Sequence, residues 1–387
     1  MKKFWSDLGS KVSSLKGLAT IGIVDISGNI ISGVFWIFMA GILGAEQYGQ
    51  ISYFLAIAII GSAVSLVGAE NTLMVYTAKN IKIQPTFYII SLLASIISAS
   101  TLYFLFFNTA MSLLVIGYVI FGLVISEIIG RRLYSLYSKY VILQKILTII
   151  LVVGFYYTIG INGVILGMAL SYFPYLIRIY REFKKAKIDF SLIKPRLGFI
   201  INSYMLSLTG MVIRSSDKLI VGSIFGYTIL GNYHVGLLVI EILQLLPAVL
   251  YKYTLPHDAR GNSNKKLKRL SIYFAIGFVI LTFILSPIIL PKLFPKFTDV
   301  VEIVQISSFA LIPNAIASIY ASKFLGNEKS KIVLVGLLIY FVVQIILIFT
   351  LGKIFGINGV AVSFVLSGTA QAAYLVYMNK IMRINYS

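Results

Sequence analysis

Long apolar runs alternate with short polar segments along the whole chain. Twelve of these runs reach the roughly 20 residues that a helix needs to cross a hydrocarbon layer about 30 Å thick. They lie at 18–40, 51–75, 86–107, 111–130, 140–159, 162–180, 199–221, 229–251, 270–290, 301–322, 332–352 and 358–378. The fifth run is the weakest, because Gln144 and Lys145 stand near its start. The pattern predicts an all-α polytopic membrane protein with twelve transmembrane helices. The two longest intervening segments, at about 181–198 and 252–269, hold fewer than 20 residues each and leave no room for a soluble domain.

Composition points the same way. Of 387 residues, 59% are hydrophobic and 12% charged, with a mean hydropathy of +0.93. Soluble domains run near 45–50% apolar and about 25% charged, so this apolar excess cannot be buried in a soluble globule. Collagen-like and disordered chains are excluded by the same figures, and the absence of cysteine excludes a disulfide scaffold. The net charge of +20, from 33 Lys and Arg against 13 Asp and Glu, would suit a nucleic-acid binder. The hydropathy does not, so the charge has to be explained by topology.

With the N-terminus placed in the cytoplasm, 28 of the 33 basic residues fall in inside segments. Three (Lys292, Lys296 and Lys353) fall outside, and Arg214 and Lys218 lie within a run. This positive-inside bias predicts a multi-pass protein of the cell membrane with both termini cytoplasmic. Residues 1–17 are expected to form an amphipathic segment on the inner leaflet. Lys2, Lys3, Lys11 and Lys16 accompany Phe4, Trp5, Leu8, Val12 and Leu15 at near-helical spacing.

Part of the sequence repeats. Gly160-Ile161-Asn162-Gly163-Val164 recurs as Gly356-Ile357-Asn358-Gly359-Val360, each just before the last helix of a six-helix half. A weaker pair is Gly44 and Gly49, matched by Gly226 and Gly231. Gly-Asn-Gly is good turn chemistry by itself, but five identical residues at matching places favour duplication. The expected organisation is an N-lobe at 18–180 (helices 1–6), a basic cytoplasmic linker at 181–198 and a C-lobe at 199–387 (helices 7–12). An even helix count per repeat relates the lobes by an axis along the membrane normal.

Six ionisable residues within runs are taken as the in-span charges: Asp25, Glu70, Arg214, Asp217, Lys218 and Glu241. A charge at mid-bilayer costs about 2.5–3.5 kcal/mol on insertion scales, so these must be paired or hydrated. Asp25, Asn29, Ser32 and Trp36 share one helical face, as do Arg214, Asp217 and Lys218. Helices 1, 2, 7 and 8 thus carry the polar groups, while helices 3–6 and 9–12 are expected to carry no mid-span charge. The simplest arrangement has the four polar helices lining a transport cavity. Two bland readings stand beside it. The charges can form structural pairs, Arg214 with Asp217 and Lys218 with Glu241, and Glu70 can snorkel to the inner interface. His234 is placed at the outer start of helix 8, as an interfacial residue. The sequence holds no metal-ligand cluster, Walker A motif or catalytic constellation.

The segment 28–33 (Gly-Asn-Ile-Ile-Ser-Gly), followed by Gly41, Gly44 and the pair Tyr48-Gly49, resembles the multidrug/oligosaccharidyl-lipid/polysaccharide (MOP) exporter superfamily. The second half repeats the pattern with Phe225-Gly226, Leu230-Gly231 and Tyr233, and Asp217 matches that superfamily's acidic residue in helix 7. The chain most resembles the polysaccharide and O-antigen flippases. That resemblance implies a non-enzymatic flippase for a polyprenyl-diphosphate-linked oligosaccharide, working by alternating access with no cofactor beyond an H⁺ or Na⁺ coupling ion. Polysaccharide assembly proteins are the implied partners. The six in-span charges sum to −2, whereas relatives carrying anionic lipid-linked sugars tend to have a cationic cavity. The diphosphate is then held at the basic inner mouth, with Lys16, Lys79, Arg131 and Arg178 as candidates, or some carboxylates are protonated or cation-bound. A multidrug cation antiporter of the same superfamily is the alternative. A membrane-embedded glycan polymerase ranks below both, because the outer loops are short and their acidic residues are only Glu46, Asp299 and Glu302.

Overall fold

A computed structural model describes residues 22, 24, 25, 27–185, 187–259, 265–327 and 329–382. The expected amphipathic segment 1–17, with Lys16, lies outside these. The described residues form α1 (Ser27–Leu43), then α2 (Ala45–Leu66), α3 (Ala69–Ala78), α4 (Gln84–Phe106), α5 (Thr109–Gly130), α6 (Tyr134–Ile159) and α7 (Ile161–Tyr172). After these come α8 (Leu176–Phe183), α9 (Leu197–Phe225), α10 (Tyr227–Ala259), α11 (Lys265–Leu293), α12 (Val300–Ser308), α13 (Leu311–Gly326) and α14 (Ser330–Ile381). Among the described residues, nine helices are long and apolar enough to cross a membrane, or ten if α12 and α13, bent by 40°, form one span. The protein is therefore a multi-pass membrane protein built of helices. Large apolar side chains such as Ile97, Phe104, Ile150, Ile284 and Ile354 are exposed, which suits lipid as the surrounding solvent.

Local sequence chemistry sets the element ends. Asn108 separates two apolar runs, and its side-chain oxygen accepts from the N–H of Met111 at 2.9 Å. That is an N-cap for one of the orphan donors at the start of α5. A continuous straight helix of 52 residues would be about 78 Å long, more than twice a hydrocarbon core. Instead α14 turns at Gly356, where φ is 59° and ψ −135°. Gly160 takes nearly the same conformation between α6 and α7, with φ 71° and ψ −143°. This region is essentially open only to glycine. The repeated motif makes the same hairpin in both places: a Cβ on Gly163 would overlap the carbonyl of Phe155, and one on Gly359 that of Leu351. In each case the obstructing residue lies eight positions earlier.

Two expectations are corrected here. The second run is not one helix, because Val67 (φ 48°) and Gly68 (φ 72°) both adopt left-handed backbone and split it into α2 and α3. A Cβ on Gly68 would lie 2.7 Å from the carbonyl oxygen of Ile200 and 2.9 Å from the backbone nitrogen of Tyr204. Close packing of this turn against α9 thus accompanies the break. The fifth run begins earlier than expected, at Tyr134, which draws Lys139 into the helix. Lys145, counted with the inner-loop charges, stands in the middle of α6.

The chain divides into two compact units. The first comprises the chain up to Trp36 and Phe54–Ser216, and the second Ile37–Tyr53 and the chain from Asp217. Helices α1, α2 and α9 therefore each contribute to both. The core of the first unit includes Leu73, Phe87, Tyr88, Leu123, Ile128 and Tyr175. The basic segment after α8 is docked onto it. Thr86 donates its hydroxyl to the carbonyl of Asp189 (3.1 Å) and accepts from that residue's N–H (2.9 Å), and the guanidinium of Arg196 lies 5.1 Å from the Tyr76 ring centre. In the second unit Val221, Leu230, Tyr233, Ile348 and Val360 form one cluster, and Phe324, Ile332 and Leu375 belong to another.

Candidate functional site

The polar residues singled out from the sequence fall into both units. Asp25, Asn29, Glu70 and Arg214 belong to the first, and Asp217, Lys218 and Glu241 to the second. Asn29, Arg214 and Glu241 are exposed, Asp25, Glu70 and Lys218 half-buried, and Asp217 buried. Arg214, Lys218 and Glu241 all engage partners.

Asp25 accepts a hydrogen bond of 2.5 Å from the hydroxyl of Tyr137 on α6. One turn on, a Cβ on Gly28 would lie 3.7 Å from Val141 and 3.9 Å from Cε of Lys145. Tyr137, Val141 and Lys145 stand four residues apart on α6, so they share a face. Lys145 makes no hydrogen bond or ion pair among the described residues. Behind it, buried Gln144 donates to Thr148 (2.7 Å), whose hydroxyl bonds Ser171 on α7 (2.9 Å). This polar stripe on helices expected to lack mid-span charge corrects the sequence reading.

Asp217 is 3.5 Å from the ammonium of Lys218 and accepts from the hydroxyl of Tyr233 at 3.2 Å. The local ion pair is thus Asp217 with Lys218. His234, one residue on, is half-buried in the second unit. Ser52 donates its single hydroxyl proton to the carbonyl of Tyr48 (2.7 Å). Its oxygen must then accept from Nδ1 of His234, 2.5 Å away. His234 is therefore held by the start of α2, a contact the sequence did not suggest.

Among the expected inner-mouth residues, Lys79 is exposed, with its ammonium 5.7 Å from the Tyr76 ring centre. Arg178 and Arg131 are engaged by carboxylates. Arg178 donates twice to Glu127, at 2.7 and 3.1 Å. Arg131 pairs with both Glu127 and Glu182, and Glu182 also pairs with Lys185 at 2.7 Å. The Glu127 side chain is 0% exposed, so these arginines neutralise a carboxylate that burial would otherwise make very costly. Sequence reasoning missed Glu127 because it stands at the end of its run. The available signal was Arg131 four residues later, on the same helical face.

Glu70 stands in the first turn of α3, directly after the break in the second run. It lines a cavity of about 300 Å³ in the first unit, together with Ser62, Leu66, Tyr118, Phe121, Ser207 and Met211. Gly122 makes room beside it: a Cβ there would be 3.4 Å from Oε1 of Glu70. No group of three or more His, Cys, Asp or Glu suited to a metal ion occurs among the described residues.

No family model matches the chain, and no curated protein matches it. Solved structures do. The lipid II flippase MurJ, in an inward closed conformation, aligns with a TM-score of 0.75 at 15% identity, covering 93% of this chain and 87% of that one. An inward-facing multidrug resistance MATE family transporter of the MOP superfamily aligns with a TM-score of 0.69 at 14% identity, over 95% and 98% of the two chains. A MOP superfamily transporter from Pyrococcus furiosus gives 0.54 at 13% identity, over 96% and 94%. The chain has the fold shared by these transporters.

Proposed function

We propose that this protein is a flippase that carries a polyprenyl-diphosphate-linked oligosaccharide, a polysaccharide or O-antigen repeat unit, across the cytoplasmic membrane by ion-coupled alternating access. The observation that carries this reading is the fold it shares, over most of both chains, with a lipid II flippase. A second feature supports it. The second unit holds an apolar cavity of about 240 Å³ lined by Ile37, Leu243, Leu281, Leu285, Ile289 and Phe294, which suits a polyprenyl tail. In this reading the halves 18–180 and 199–387, joined by 181–198, are the moving parts. Asp25, Asn29, Glu70, Arg214, Asp217, Lys218 and Glu241 serve the transport path. Lys79, with Lys16, Arg131 and Arg178, draws the diphosphate to the inner mouth, and Lys79 is the one of the described three that carries no carboxylate partner. Polysaccharide assembly proteins would supply and take up the substrate.

The antiporter of organic cations is the second reading. It is favoured by the fold shared over 98% of a MATE transporter and by the excess of carboxylates among the in-span charges. The test is flipping of a fluorescent lipid-linked oligosaccharide by purified protein in vesicles. Wild type should flip it, and Asp25→Asn and Arg214→Ala should slow flipping strongly while still inserting and folding. Wild-type rates in both variants would remove these residues from the path.

A further inference from the structure

We infer that α8 and the basic segment after it form a docking surface for the headgroups of anionic phospholipids. Helix α8 turns Ile179 and Glu182 inward, and both are buried. Ile177, Tyr180, Arg181 and Lys184, at i, i+3, i+4 and i+7, share another face and are exposed. That face mixes apolar and cationic side chains and carries no carboxylate. The same mixture continues beyond the helix, where Lys187, Ile188, Phe190 and Lys194 are exposed. Ile177, Tyr180 and Phe190 are each more than half exposed.

The cations here divide into two sets. Arg131, Arg178 and Lys185 turn to Glu127 and Glu182. Arg196 turns to the carbonyl of Leu192 at 2.7 Å and to the Tyr76 ring. Arg181, Lys184, Lys187 and Lys194 make no hydrogen bond or ion pair among the described residues. The ammonium of Lys184 stands only over Tyr180, 4.6 Å from its ring centre. The exposed Asp189 does not neutralise them, because its carboxylate accepts from the N–H and the hydroxyl of Ser191 at 2.9 and 2.5 Å. Four cations are thus left facing outward.

The exposed apolar residues decide what they face. Two stretches apolar enough to cross a membrane, Ile161–Phe183 and Phe190–Phe225, flank this segment. Ile177 and Tyr180 stand near the end of the first, and exposed Phe199 and Ile201 near the start of the second. The surface is therefore continuous with wall that faces acyl chains. A lipid covers both parts at once: its chains meet the apolar residues, and its phosphate meets the charged ends of long side chains that lie along them. Thr86 and Arg196 hold the segment on the first unit, so the surface is formed before lipid arrives. A basic residue near an anionic membrane surface is worth about a fivefold preference for it.

This binding does not depend on what is carried. The test uses the full chain, which has no native cysteine, in vesicles of phosphatidylcholine and phosphatidylglycerol. A fluorophore on Phe190→Cys reads the lipids around it through quenching by brominated phosphatidylglycerol or, in a matched sample, brominated phosphatidylcholine. Phe107→Cys, an exposed position beyond the far end of α4 from Thr86, is the reference. Relative affinity should favour phosphatidylglycerol about fivefold or more at residue 190 and stand near one at residue 107. Replacing Arg181, Lys184, Lys187 and Lys194 together by Gln should bring the preference at residue 190 close to one, with size-exclusion profiles checking folding. Equal affinity for the two lipids at residue 190, the same preference at residue 107, or a preference unchanged in the folded quadruple variant overturns the inference. So does a probe at residue 190 that aqueous iodide quenches and neither lipid does, which would leave the surface to a soluble partner.

Discussion

Ser52 and His234, 182 residues apart in sequence, share a hydrogen bond of 2.5 Å. Each stands eight residues beyond a left-handed glycine, Gly44 (φ 79°) for Ser52 and Gly226 (φ 85°) for His234. The two residues are therefore equivalent positions of the duplicated segments, and they meet each other. Gly49 and Gly231 extend the relationship. A Cβ on Gly49 would overlap the carbonyl of Tyr227, and one on Gly231 that of Ala45. Each glycine thus faces the residue that opens the other's helix, as a local twofold axis requires. All of these residues lie in the second unit.

This crossing predicts matched effects. Gly49→Ala and Gly231→Ala each force a methyl into backbone and should destabilise the protein by about 1–3 kcal/mol, the usual range for overpacking. Gly210→Ala, where a Cβ meets nothing within 4 Å, should be neutral or stabilising. Thermal unfolding in detergent reads the difference. Equal melting temperatures in all three variants would mean that the two helices do not approach this closely.

The duplicated hairpin makes a second pair. Nothing lies within 4 Å of a Cβ on Gly160 or Gly356, so alanine there introduces backbone strain without a clash. The expected cost is about 1–3 kcal/mol at each site, similar for both because the conformations match. A variant that loses no stability at one site and several kcal/mol at the other would break the equivalence.

Glu127 carries the third. Glu127→Gln leaves Arg131 and Arg178 without their buried carboxylate and should cost about 3–5 kcal/mol. Arg178→Ala should also lower the melting temperature, because it leaves the buried Glu127 with Arg131 as its remaining ion-pair partner. Lys79→Ala, at an exposed residue, should leave stability unchanged and reduce transport if the residue attracts the diphosphate. A stability loss in Lys79→Ala, or none in Glu127→Gln, would reverse these roles.

The sequence made the helical runs legible because about 20 apolar residues in a row have few other uses. The repeat was legible too, since the turn at Gly356 needs a residue that only glycine supplies. What could not be read was determined by contacts distant in the chain. Val67 is a β-branched residue in a left-handed conformation, and nothing in a run of apolar letters marks that, although Gly68 beside it was a hint. Lys145 looked like a loop charge because the start of its helix is polar. Glu127 looked like a span end, and its burial becomes evident only when Arg178 arrives from another helix. In the candidate site, the charged residues were found by type, but the assignment of Glu70 to a cavity rests on Tyr118 and Ser207, which no local pattern links to it.

Orientation is open to a direct check, because the chain contains no cysteine. Single cysteines at exposed Lys187 and Lys353 should label from opposite sides of intact cells, Lys187→Cys only after permeabilisation and Lys353→Cys before it. Labelling of Lys187→Cys by an impermeant reagent in intact cells would invert the topology.

The central claim concerns cargo. The measurement that tests it most directly sets two cargoes against each other in the same vesicles of purified protein: a fluorescent polyprenyl-diphosphate oligosaccharide and a fluorescent organic cation. The flippase account predicts that the saccharide crosses faster than in protein-free vesicles, that Arg214→Ala abolishes the gain, and that the cation gradient is untouched. Cation transport driven by an ion gradient, with the saccharide crossing no faster than in protein-free vesicles, would contradict it.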